Sequence, residues 1–102
     1  MSSSVPESLD NHHRDTLLQL FQHPTSHNMD WQAVSSLLGA VGSVEQLHDG
    51  KSRARIGGET EVIARPKDKD IDAQQVVNLR RMLTGAGFAA VVEELEAEGK
   101  EV

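Results

Sequence analysis

The chain has 102 residues, no cysteine and a net charge of −6. This length predicts one domain with a single modest core. The absence of cysteine excludes disulfides and thiolate metal sites and suits a reducing cytoplasm, and no apolar run approaches the roughly 20 residues of a membrane span. With no apolar signal core near the N-terminus, we expect a cytoplasmic protein without membrane association.

The N-terminal segment predicts a tail followed by a short helix. Residues 1–10 include a Ser- and Pro-rich stretch and are expected to be disordered. One domain is expected over residues 11–102, with its core at about 28–88. A first helix is predicted over about 11–22, and Pro24 prevents it from continuing.

A second helix is predicted from the apolar spacing that follows. Its N-cap is expected to be Asn28 or Asp30, and Gly39 or Gly42 is expected to end it. The apolar residues at helical spacing are Trp31, Val34, Leu37, Leu38 and Val41.

The apolar period then changes from about 3.6 to 2, which predicts strands. Asp49-Gly50 is typical of a two-residue type I′ hairpin turn, because both central positions need positive φ. The predicted strands are residues 43–47, 51–56 and 60–65, with a second turn at Gly57-Gly58 and an end at Pro66. The pattern predicts a three-stranded antiparallel meander.

Two helices are predicted at the C-terminal end. Asp72 and Gln75 resemble a capping box at the start of the first, and Arg80 and Arg81 near its end suit the negative end of its own dipole. A last helix is expected at about 88–98, with Phe88, Val91, Val92 and Leu95 on one stripe. The chain therefore predicts an α+β fold: an α-β-β-β-α core, its sheet packed on two helices, with an extra helix at each end.

Positive charge is concentrated in the predicted meander and just after it. Residues 51–81 hold eight of the ten basic residues. Alternation places Lys51, Arg53 and Arg55 on one sheet face, about 6.5–7 Å apart, where they could contact phosphates. The competing interpretation is a solvated face whose cations pair with Glu59 and Glu61 across the hairpin.

The other polar residues give weaker signals. His12 and His13 are adjacent, so they diverge by about 100° on a helix and make a poor chelate. We interpret the five histidines as surface residues and predict neither a metal site nor a cofactor. No Gly-x-Ser-x-Gly motif indicates a nucleophilic serine.

The order of these elements resembles the HicA family, the RNA-cleaving toxins of bacterial toxin–antitoxin pairs, whose fold is like the double-stranded-RNA-binding domain. The resemblance covers about residues 28–88. "WQAVSSLLGAVG" resembles the family's first helix and its glycine. "DGKSRARI" falls at its Gly-Ser-His strand, and "ARPKDKDIDAQQVVNLRRML" resembles its Pro-containing strand end and second helix.

The resemblance implies an RNA-binding surface, but the histidine that would cleave RNA is absent from this sequence. The family's catalytic histidine follows the strand serine, and here Arg53 follows Ser52. The position after Pro66, often histidine in relatives, is Lys67. A guanidinium cannot act as a general base near neutral pH, although it can bind phosphate through two donors.

We therefore expect an RNA-binding protein that is weak or inactive as a ribonuclease. Its expected partners are RNA, including double-stranded RNA, and a HicB-like antitoxin. The expected RNA-binding residues are Lys51, Ser52, Arg53, Arg55, Arg65, Lys67 and Lys69. Two alternatives stay open. One is an active endoribonuclease that uses another acid–base group, for which His48 is the nearby candidate. The other is a small protein-interaction module.

Overall fold

A computed structural model describes residues 9–22, 25, 29–64, 66 and 70–100. The elements in chain order are α1 (Asn11–Phe21), β1 (Met29–Asp30), α2 (Trp31–Val41), β2 (Ser43–Gln46), a 3₁₀ turn (His48–Gly50), β3 (Lys51–Ile56), β4 (Glu59–Ala64), β5 (Asp70–Ile71), α3 (Ala73–Gly85) and α4 (Phe88–Lys100). The predicted α+β fold is confirmed, with α2, the β2-β3-β4 sheet and α3 at its centre and α1 and α4 at the two ends.

The folded unit begins inside the segment expected to be a tail. Leu9 is only 3% exposed and belongs to the hydrophobic core. Asp10 is the N-cap of α1, and its carboxylate accepts a hydrogen bond from the backbone N–H of His13 at 2.9 Å. The tail prediction is therefore wrong for these two residues, because one is held by apolar burial and the other by capping. Residues 1–8 lie outside the described part.

Helix α2 begins at a polar cap and ends against the sheet. Of the two expected caps, Asp30 accepts a hydrogen bond from the N–H of Gln32 at 2.9 Å, while Asn28 lies outside the described residues. The helix ends at Gly42, where a Cβ would overlap the carbonyl oxygen of Arg55 and lie 2.8 Å from Ile56 Cγ1. Only glycine lets the end of α2 approach β3 this closely.

The meander forms as predicted, with one difference at its first turn. β2 pairs antiparallel with β3, and β3 with β4. Asp49 and Gly50 both have positive φ, 68° and 72°, as expected. The connection nevertheless holds three residues rather than two, because the N–H of Leu47 bonds to the carbonyl of Lys51 at 2.8 Å and leaves His48 in the loop.

The core lies between the sheet and the helices. α2 and α3 pack on the sheet, while α1 packs against α2, α3 and α4. Asp72 caps α3 as predicted and accepts from the N–H of Gln75 at 2.8 Å. The amide nitrogen Nε2 of Gln75 is buried and has no hydrogen-bond partner in the described part of the chain. The predicted stripe of α4 is buried: Phe88, Val91, Val92 and Leu95.

Arg80 connects α3 to the end of α1. Its Nε donates to the carbonyl of Leu20 at 2.8 Å, and its terminal nitrogen donates to the carbonyl of Gln22 at 3.3 Å and to Thr25 Oγ1 at 3.2 Å. The last carbonyls of a helix have no partner within the helix and favour a cation. Arg80 therefore stabilises the C-terminus of α1. The expected interaction was with the C-terminus of its own helix, α3.

A second, very short pairing joins the residues that precede α2 to those that precede α3. β1 and β5 pair through Met29 with Ile71 and Asp30 with Asp70. Met29 and Ile71 are both buried, and neither strand was predicted because two residues give no readable period. No helix in the described residues has the length and apolarity needed to cross a membrane.

Candidate functional site

The sheet has one face that no helix covers, which we call the outer sheet face. Residues directly opposite each other on neighbouring strands share a face, so the register defines its members. They are Ser43, Glu45, Lys51, Arg53, Arg55, Thr60, Val62 and Ala64. All of these residues are exposed except Arg53, which is half-buried. The predicted alternation of β3 is confirmed, since Ser52, Ala54 and Ile56 are buried on the other face.

The three cations of β3 have different surroundings. Arg53 lies opposite Glu45 of β2, and its guanidinium donates to the carboxylate at 3.0 Å. Lys51 and Arg55 are exposed, and within the described residues neither forms an ion pair. The outer sheet face therefore presents two free cations on either side of an arginine whose charge is largely compensated.

The expected pairing of these cations with Glu59 and Glu61 does not occur. Glu61 lies opposite Ala54 and Glu59 opposite Ile56, so both belong to the helix-covered face. A Cβ at Gly85 would lie 2.8 Å from the Glu59 carboxyl carbon, which places that carboxyl at the end of α3. The neutralising carboxylate comes instead from β2, which the neighbouring hairpin brings beside Arg53.

The remaining predicted site residues are distributed unevenly. Ser52 is 2% exposed and faces the helices, so it lies outside the outer sheet face. His48 is exposed in the loop between β2 and β3, next to the start of the basic strand. Arg65, Lys67 and Lys69 lie outside the described residues.

A second polar site, which the sequence did not predict, lies between α1 and α2. It is a cleft of about 340 Å³. Its polar lining residues are His12, His13, Thr16, Asp30, Gln32 and Ser36. We call it the α1–α2 cleft. The lining residues come from one face of α1 and from the N-terminal turns of α2, so the packing of two helices creates it.

His13 is the centre of this cleft. Its side chain is only 15% exposed, so the surface interpretation is wrong for this histidine. Nε2 lies 2.8 Å from Ser36 Oγ on α2. Nδ1 lies 3.4 Å from Asp10 Oδ1, too long for an ideal hydrogen bond, and has no other partner in the described part. The attraction between Nδ1 and the carboxylate is therefore mainly electrostatic.

The charge of Asp10 indicates which tautomer His13 adopts. The backbone N–H of His13 donates to the carboxylate and lowers the pKa of Asp10, and the nearby His13 ring adds to this effect. An ionised carboxylate beside Nδ1 favours a proton on that nitrogen. Nε2 is then the acceptor, and the Ser36 hydroxyl donates to it.

The Asp10–His13 pair could have been found from its spacing in the sequence, whereas the contact with Ser36 could not. Asp10 and His13 are three residues apart, which is the spacing between an N-cap side chain and the residue whose backbone N–H it accepts. Ser36 is 23 residues from His13, and no periodicity within α2 distinguishes it from Ser35. Only the packing of α1 on α2 selects it.

The described residues contain no group of three or more His, Asp or Glu side chains placed to hold a metal ion. No family model, curated protein or solved structure matches this chain.

Proposed function

We propose that the protein is a HicA-like RNA-binding protein that binds duplex RNA through its outer sheet face and does not cleave it there. The observation that carries the proposal is the row of Lys51, Arg53 and Arg55 on a sheet face that no helix covers. Accessible cations bind the phosphates of nucleic acid, and such contacts carry little information about base sequence.

The charge environment sets the expected strength of binding. Lys51 and Arg55 are exposed and form no ion pair in the described part, whereas the positive charge of Arg53 is partly compensated by Glu45. The whole chain has a net charge of −6, which opposes the approach of a polyanion. We therefore expect affinity no better than about micromolar and a clear fall with salt.

Arg53 also supports the absence of cleavage. It occupies the position at which the HicA resemblance implies a catalytic histidine, and an arginine stays protonated at neutral pH. Arg53 is therefore suited to binding a phosphate and unsuited to removing a proton from a 2′-hydroxyl.

Titration with a short RNA duplex at low ionic strength, followed by residue-resolved NMR, tests the proposal. We expect shifts concentrated on β3 and on the outward residues of β2 and β4. Arg55→Glu should weaken binding strongly. Arg81→Glu, the same charge change at an exposed position of α3, should weaken it only slightly.

The contradicting outcomes are equally specific. Equal losses in the two variants would show that only total charge matters, and the absence of salt-dependent binding would refute an RNA-binding face. Cleavage of the duplex by the unmodified protein, abolished by His48→Ala, would favour the active endoribonuclease instead.

One observation favours a protein partner on the same face. Val62 is the exposed large hydrophobic residue of the described chain, at 45% exposure, and it lies directly opposite Arg53. Val62 gives this face one apolar contact that a protein partner, such as a HicB-like antitoxin, would bury. Val62→Thr keeps the β-branched shape. If it weakens a complex with a co-expressed antitoxin and leaves RNA binding unchanged, the protein-interaction alternative is favoured.

A further inference from the structure

We propose that the α1–α2 cleft is an acyl-transfer site for small uncharged carboxylic esters, with Ser36 as nucleophile and His13 as general base. Three observations carry the proposal. Ser36 Oγ and His13 Nε2 lie 2.8 Å apart. Asp10 lies beside the other ring nitrogen. The pair opens on a cleft of about 340 Å³, within the size range of small-molecule sites.

The arrangement satisfies the geometric roles of an activated serine. A serine hydroxyl is a weak nucleophile until an adjacent base accepts its proton, and the base acts best when a third group orients it. The Nδ1–H tautomer, favoured by the Asp10 carboxylate, leaves the Nε2 lone pair directed at the hydroxyl. Asp10 acts through His13 and is a positioning residue.

The reaction balances without any further reagent. Ser36 Oγ bonds to the ester carbonyl carbon while His13 Nε2 takes the hydroxyl proton. The bond from carbon to the alcohol oxygen then breaks, and the departing alcohol receives that proton from His13. Water attacks the acyl-Ser36 ester, His13 again accepts a proton, and the carboxylic acid leaves as the serine recovers its hydrogen.

The charges around the cleft indicate the substrate class. Its lining includes the carboxylate of Asp30, and Asp10 lies next to His13, whereas none of the described residues that line it is Lys or Arg. A lining that holds a carboxylate and neither Lys nor Arg disfavours a phosphodiester or a carboxylate ligand. The cleft therefore suits an uncharged ester, which separates it from the RNA proposed for the outer sheet face.

The oxyanion that forms at the carbonyl needs a donor. The backbone N–H of Ser36 lies inside α2 and is used by the helix ladder, so it is not available. Gln32 lies one turn before Ser36 and also lines the cleft. Its carboxamide N–H is the donor that this lining offers for the developing negative charge.

The test uses the full chain and p-nitrophenyl acetate, an uncharged activated ester. We expect a burst of p-nitrophenolate and one acetyl group on the peptide that contains Ser36. Ser36→Ala should abolish the burst and lower the rate by about ten-fold or more. Ser35→Ala, the neighbouring serine of the same helix, should react like the unmodified protein. Because alanine favours helix, Ser36→Ala should remain folded.

Asp10→Asn separates a positioning role from a structural one. Asparagine caps helices as well as aspartate does, so circular dichroism should show α1 intact. Loss of the carboxylate should lower kcat for acetylation of Ser36 and leave KM nearly unchanged, because the imidazole is no longer held in the tautomer that accepts the hydroxyl proton. An unchanged kcat would exclude Asp10 from the site.

Three results would overturn the proposal: no burst from the unmodified protein, a burst that Ser36→Ala retains, or acetyl groups found only on histidine or lysine. Hydrolysis of the anionic bis(p-nitrophenyl) phosphate that depends on Ser36 would refute the substrate class. Since none of these measurements involves RNA, failure here leaves the function of the outer sheet face unaffected.

Discussion

On the outer sheet face, long cationic side chains extend from an open strand, and Lys51 and Arg55 are exposed without ion pairs in the described residues. In the α1–α2 cleft, His13 is held between Asp10 and Ser36 and is only 15% exposed. Exposed charges can contact a polyanion but fix no geometry, whereas a half-buried imidazole with two defined neighbours can direct a proton. The open strand is therefore suited to binding and the helix–helix cleft to chemistry, which are the roles proposed for them above.

The largest effect should come from removing the link that holds α1 in place. Arg80→Ala loses three hydrogen bonds to the end of α1 and the loop after it. We expect a loss of about 2–3 kcal/mol in the free energy of unfolding, because bonds from a charged donor are the stronger ones. Urea denaturation measures this loss.

Arg81→Ala is the matched control, because Arg81 is the exposed neighbour on the same helix. It should change stability by less than about 0.5 kcal/mol. Hydrogen exchange sharpens the comparison: amides of α1 should lose protection in Arg80→Ala before those of β3. Equal losses in both elements would mean that cleft and sheet open as one unit.

A smaller effect is expected at the cap of α2, which also borders the cleft. Asp30→Ala removes the acceptor for the N–H of Gln32 and should cost about 1 kcal/mol. Trp31, the single tryptophan, follows the cap and reports the change by fluorescence. Asp30→Asn keeps the cap and should retain nearly full stability. If both variants lose stability equally, the charge of Asp30 matters more than its hydrogen bond.

On the outer sheet face, breaking the ion pair should change binding more than stability. Glu45 is 63% exposed and Arg53 35% exposed, and ion pairs of this kind contribute at most about 1 kcal/mol. Glu45→Gln should leave the unfolding midpoint almost unchanged and tighten RNA binding by about three-fold, because Arg53 is released. Glu93→Gln, an exposed position on α4, has the same charge change and should have less effect. Equal gains would implicate net charge alone.

The smallest effect concerns pH. The N–H of His13 lowers the pKa of the Asp10 carboxyl below its ordinary value, which is about 3.9. A carboxyl with a lowered folded-state pKa stabilises the protein above its unfolded pKa, and that contribution is lost as the pH falls through the folded value. Thermal unfolding of the protein and of Asp10→Asn should therefore converge below about pH 4. A constant difference would contradict this assignment.

The sequence predicted the outer sheet face more successfully than the cleft, for a physical reason. Alternation along β3 is local, so it places Lys51, Arg53 and Arg55 on one face whatever surrounds them. Which carboxylate compensates them depends on register, and the same period of 2 that aligned the cations put Glu61 opposite Ala54, on the other face. The face was therefore predictable and its ion pair was not.

The cleft depended on packing that no local pattern encodes. The apolar stripes of α1 and α2 predicted that both helices are buried on one side, but not the angle or the register at which they meet. That register brings Ser36, rather than Ser35, to His13. Arg80 also shows that long-range contacts could not be predicted. Its position in α3 was clear from the sequence, but its partners at the end of α1, 58 and 60 residues away, were not.

Gly42 also offers a way to recognise distant relatives of this chain. Any other residue there would collide with the backbone of β3, and no side-chain rotation relieves a clash with a carbonyl oxygen. A descendant or ancestor in which α2 approaches β3 this closely is therefore expected to keep a glycine between the last turn of α2 and the first residue of β2. Where overall identity has decayed, that single position, followed by a hairpin with alternating burial, is a mark by which a distant relative could be recognised.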